Sequence, residues 1–125
     1  MSFIADLHIH SHYSIATSPQ LSPEYLDYWA RLKGIKVVGS GDFTHPAWVA
    51  ELKEKLQPLG NGLFRLKEQY RLPISFLPED KGQSLFMLTA EVSNIYKKYS
   101  KVRKVHNVLL APSFESVEAI QKAFL

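Results

Sequence analysis

Cysteine is absent from the 125 residues. Its absence excludes a disulfide framework, cysteine-type zinc sites and a thiol nucleophile, and it fits a cytoplasmic location. No apolar run approaches the ~20 residues that a membrane-spanning helix needs. The opening stretch Met1-Ser2-Phe3-Ile4-Ala5-Asp6 has neither a basic region nor an apolar h-region, so no signal peptide is expected. No internal repeat, low-complexity tract or interdomain linker stands out. What is present is 46% hydrophobic and 22% charged, enough for one domain with a real core. The net charge of +3 permits a polyanionic partner without implying one.

The most informative segment is Asp6-Leu7-His8-Ile9-His10. Phe3, Ile4 and Ala5 lead into alternating polar and apolar residues, which reads as a β-strand. Alternation places Asp6, His8 and His10 on one face and Leu7 and Ile9 on the other. Three ionisable groups in a row are costly to bury unless a cation compensates them.

Further along, Ser22 can cap a helix that Pro23 opens, and Gly34 closes it. Ile35-Lys36-Val37-Val38 reads as a buried strand, broken by Gly39-Ser40-Gly41-Asp42. Pro46 starts a second helix, expected to run to about Gln57. Trp29 and Trp48 sit at helical core spacing and read as packing residues. Leu63 to Leu66 can form a short strand, and Pro73, Pro78 and Asp80-Lys81-Gly82 suggest a loop. Leu85 to Glu91 reads as a buried strand ending in an acid, and Val102 to Leu110 as another. Ser113 to Leu125 reads as a helix with Phe114, Val117, Ile120 and Phe124 inward. Strands alternating with helices imply an α/β architecture, a parallel sheet or barrel.

In such folds, ligands gather at the ends of successive strands. The first strand offers Asp6, His8 and His10, the second Asp42 with His45 beyond, the third Glu91, and the fourth His106. Imidazoles mixed with carboxylates suit Zn, Mn or Fe rather than Ca. His12 reads as an exposed loop residue outside this set.

The blocks Asp6–His10, Gly41-Asp42-Phe43-Thr44-His45-Pro46, Thr89 to Tyr96 and Lys101 to Asn107 resemble the PHP (polymerase and histidinol phosphatase) superfamily, and within it the endonuclease Q family. The resemblance implies a distorted barrel of repeated strand–helix units with two or three metal ions in its mouth. It also implies that His8 and His10 are ligands, that Glu91 is a bridging carboxylate, and that His106 is a further ligand. Asp6 then orients a histidine of the first strand. Phe43 stands where the superfamily usually has histidine, which leaves either Asp42 or His45 to act there. A later histidine and a closing Asp-x-His are absent. An eight-unit barrel takes ~250 residues, so residues 1–125 are expected to be one N-terminal portion, roughly the first half of the barrel.

The activity so implied is a metal-dependent phosphodiesterase that cuts lesion-containing DNA 5′ of deaminated or abasic sites. The alternatives are a phosphomonoesterase like histidinol phosphatase, or an inactive metal- or DNA-binding fragment. Lys97, Lys98, Tyr99, Lys101, Arg103 and Lys104 form a basic segment. It reads on spacing as a solvated connection between strands, and under the resemblance as a phosphate contact with Tyr96 or Tyr99 stacking on bases.

Overall fold

The computed structural model describes residues 2–76 and 82–124. Part of the expected loop, at Pro78 and Asp80-Lys81, lies outside them. Six strands and three helices follow one another as β1 (Ile4–Asp6), α1 (Pro23–Lys33), β2 (Ile35–Gly39), α2 (Pro46–Lys55), β3 (Leu56–Pro58), β4 (Phe64–Leu66), β5 (Leu85–Lys98), β6 (Lys101–Ala111) and α3 (Phe114–Ala123). No helix among the described residues is long and apolar enough to cross a membrane.

Local chemistry sets α1. The Ser22 side chain accepts from the Tyr25 amide, Pro23 occupies the first turn, and Gly34 closes the helix at φ +73°. β1, β2 and β5 run parallel in that order, as the alternation of strands and helices predicts. The sheet is nevertheless mixed, because β3, β4 and β6 are all antiparallel to their neighbours. β3 occupies residues expected to finish the second helix. Leu56 pairs with Leu66 and Pro58 with Phe64, and this pairing outweighs the helical spacing.

The core gathers Phe43, Trp48, Leu52, Phe86, Leu88 and Val117, all fully buried. Trp48 packs as expected, and its indole N–H donates to the Gly41 carbonyl at 2.8 Å. Trp29 does not: it is 47% exposed, at the rim of a hollow between α1 and β1. Phe124 is likewise exposed.

Beyond β2 the chain keeps bonding to β5. The Ser40 amide donates to the Met87 carbonyl, Gly41 N–H to Thr89 Oγ1, and Phe43 N–H to the Thr89 carbonyl. This run carries Asp42 alongside the end of the buried part of β5. It also passes beneath residues 7–9. A Cβ on Gly41, which sits at φ +67°, would collide with the Ile9 carbonyl, so only glycine fits there.

Candidate metal centre

β1 ends at Asp6, shorter than the alternation predicts, and Leu7 to His10 follow as irregular chain laid over Gly39 and Gly41. Of Asp6, His8 and His10 in the expected strand, only Asp6 therefore lies in regular β-structure. The two histidines converge nonetheless. His8 Nε2 bonds Glu91 Oε2, and His10 Nε2 lies 3.2 Å from the same oxygen. One donor atom from each of His8, His10 and Glu91 falls within 4.8 Å of the others. The other Glu91 oxygen faces His106 Nδ1 at 2.7 Å.

Glu91 thus offers its two oxygens to different imidazoles. The hydrogen bond from His8, with that from His106, holds its carboxyl below the usual range against the opposing effect of burial. Two imidazoles and an ionised carboxylate, with a third imidazole adjoining, are the donor types that a Zn, Mn or Fe ion accepts. The residues present fit such an ion.

Asp42 is the hub beneath this cluster. Its Oδ2 accepts from the Ser11 amide, the Ser11 hydroxyl and the Ser14 hydroxyl, each at 2.7 Å. Its Oδ1 meets His10 Nδ1 at 3.1 Å. Burial alone pushes the Asp42 carboxyl up, but the bonds from Ser14, Ser11 and His10 outweigh it and hold the group below its ordinary range. An ionised carboxylate can only accept, so His10 Nδ1 carries a proton toward Asp42, and Nε2 is the nitrogen left for an ion beside Glu91. Asp42 holds this position at φ +52°, a left-handed conformation that aspartate tolerates better than most residues.

The remaining candidates separate. Asp6 pairs with Val38 through its backbone, and its side chain makes no ion pair among the described residues. It lines, with His10, Trp29 and Ile35, an apolar hollow between β1 and α1. His45 caps α2 and stacks on Tyr13 at 4.5 Å, outside the cluster. His12 is half-buried rather than exposed, bonding Glu51 at 3.0 Å and meeting Trp48 edge-on. Ser11, Ser14 and Ser93 were not singled out by the sequence, because hydroxyls are too common to mark a site. Ser93 Oγ lies 2.9 Å from His106 Nδ1.

The basic segment is not a connection between strands. β5 and β6 run on as a two-stranded ribbon through it, turning at Tyr99 and Ser100, both at positive φ. Every residue from 93 through 107 is exposed, so the ribbon projects from the body.

No protein-family profile matches the chain. It is 30% identical over 117 residues to an uncharacterized protein of Methanocaldococcus jannaschii, an alignment that spans 94% of this chain and 11% of that protein. The lesion-specific endonuclease PfuEndoQ of Pyrococcus furiosus is similar in structure, with a TM-score of 0.70 and 30% identity over 95% of this chain and 24% of that one. Endonuclease Q in complex with a 27-mer duplex carrying an abasic lesion at the active site is similar to the same degree, again with a TM-score of 0.70 and 30% identity, over 95% of this chain and 25% of that one. The chain therefore shares its mixed α/β fold with endonuclease Q and spans about a quarter of its length.

Proposed function

We propose that this chain supplies the metal-bearing N-terminal portion of a PHP-type barrel in an endonuclease Q-like DNA repair enzyme, a hydrolase that cuts the phosphodiester 5′ of deaminated or abasic sites. The observation that carries this reading is the convergence of His8 and His10 on Glu91, across 83 residues of chain, in a fold shared with a lesion-specific endonuclease.

In this reading His8, His10, Glu91 and His106 would hold the two or three Zn, Mn or Fe ions. The chemistry such ions would supply is activation of a water and electrostatic stabilisation of the displacement. The chain's own residues prepare the site for this. Asp42 fixes the tautomer and orientation of His10, and Ser11 and Ser14 hold Asp42 ionised. His8 and His106 are more than half exposed in this portion of the barrel. The ribbon beside it brings positive charge to a DNA backbone.

The rest of the barrel belongs, in this reading, against the outer edge of β1. That strand pairs only with β2 among the described strands, and Ile4 on it and Phe3 just before it are 61% and 69% exposed.

A nicking assay tests the proposal. Protein loaded with Mn or Zn is given a duplex with one abasic site, the intact duplex, and a phosphomonoester. Incision 5′ of the lesion is expected of the chain within its complete barrel, and no more than a trace of it from residues 1–125 alone. Hydrolysis of the monoester without nicking would replace the nuclease reading with a histidinol phosphatase-like one.

A further inference from the structure

Cross-strand partners in a ribbon project to the same face, and alternate residues of one strand share it. The β5–β6 register therefore sorts the basic side chains into two sets. Ser93 pairs with His106, so Glu91, Ser93 and His106 lie on one face. The next pairs on that face are Ile95 with Lys104 and Lys97 with Val102. The intervening pairs, Tyr96 with Arg103 and Lys98 with Lys101, project from the opposite face. Followed back into the body, that opposite face leads to Ala90 and Leu88, which are buried in the core.

Two lysines thus stand in line with the metal centre. Lys104 is one rung beyond His106 and Lys97 two rungs beyond, at ~7 Å per rung. Exposed Ile95 and Val102 lie between them, a surface on which sugars and bases can rest. On the other face, Lys98 places its ammonium 5.6 Å from the Tyr99 ring at the tip, a partner it already has.

We infer that only the face continuous with Glu91 and His106 carries the DNA strand that is cut, with Lys104 and Lys97 as its phosphate-positioning residues. Lys98, Lys101 and Arg103 point away from that strand. This inference rests on the nuclease reading above and divides a charge cluster that composition alone treats as uniform.

Two double variants that remove equal charge test it: Lys97→Gln with Lys104→Gln, and Lys98→Gln with Lys101→Gln. Binding of the metal-loaded protein to an abasic duplex is measured across a salt series, with KM, kcat and metal content for each. The site-face pair should flatten the slope of log K against log salt by roughly 0.9 for each lost contact. It should raise KM with kcat near the parent's and metal content unchanged. The opposite-face pair should keep the parental slope. Equal flattening in both doubles, or flattening confined to the second, overturns the inference while the nuclease reading stands. A parent protein without salt-dependent DNA binding removes both.

Discussion

Asp42 Oδ1 and His10 Nδ1 meet at 3.1 Å across 32 residues of chain, and this contact sets which nitrogen of His10 faces Glu91. Asp42→Asn keeps the shape and tolerates the left-handed backbone, but an amide no longer dictates the tautomer. Metal affinity should fall about 10–100-fold, the usual effect of losing such an orienting partner. Chelator competition measures it. An affinity equal to the parent's would remove Asp42 from this role.

The ligands should separate by stoichiometry. His8→Ala with His10→Ala should abolish metal uptake, because Glu91 and His106 alone offer too few donors. His106→Ala should keep the ion held by His8, His10 and Glu91 and lose a second. Elemental analysis per chain reads both outcomes, and equal content in all three proteins would exclude these side chains as ligands.

Gly41→Ala should cost on the order of 1–3 kcal/mol, since it adds a strained positive φ to a collision with the Ile9 carbonyl. The displaced segment contains His8 and His10, so metal affinity should fall with stability. A urea midpoint within error of the parent's would show that residues 7–10 have room to move.

Lys55 joins two helices by bonding Glu24 on α1 and Glu51 on α2, each at 2.8 Å. Burial pushes Lys55 down, but the bonds from Glu24 and Glu51 outweigh it and raise the ammonium above its ordinary 10.5. Burial opposes ionisation of Glu51, yet the bonds from Lys55 and His12 hold it below its ordinary 4.5. The raised lysine contributes stability that is fully present below pH 10.5 and lost as pH rises through its folded value. The lowered glutamate contributes stability present above pH 4.5 and lost as pH falls through its folded value. Lys55→Met should lower the plateau between these limits by about 1 kcal/mol, a figure suited to partly exposed pairs. It should also flatten the alkaline loss. Urea midpoints across pH check both, and an unchanged alkaline limb would assign that loss to other groups.

The 125-residue chain alone should associate at micromolar concentration through the free edge of β1 and its exposed Phe3 and Ile4. Sedimentation measures this. A monodisperse monomer would show that the edge is adequately protected by its shortness.

Much of this was legible in the sequence where the cause is local. Ser22, Pro23 and Gly34 mark α1 to the residue, because caps act on their own turn. His8, His10, Glu91 and His106 stand out as ligand types at the ends of apolar runs. What depends on distant partners was not legible. Leu56 to Pro58 continue a helical spacing and become a strand only by pairing with β4. Tyr99-Ser100 is not a typical hairpin dipeptide, so the ribbon is fixed by the register of its strands rather than by its turn. Helical spacing shows which residues of α1 and α3 share a face, but not whether anything covers it, hence the exposure of Trp29 and Phe124. That Asp42 meets His10 while His45 stacks on Tyr13 depends on distant contacts that no local pattern encodes.

β5 joins, in one unbroken strand, a buried anchor at Phe86 and Leu88, the carboxylate of Glu91, and the ribbon beyond it. Under the proposed function, metal at Glu91 and DNA on the ribbon would be two equilibria on the same strand. Whatever factor bound metal adds to the affinity for DNA, bound DNA must return to the affinity for metal, because the coupling free energy is single and reciprocal. Under the proposed function, the ratio of metal affinities with and without DNA should equal the ratio of DNA affinities with and without metal.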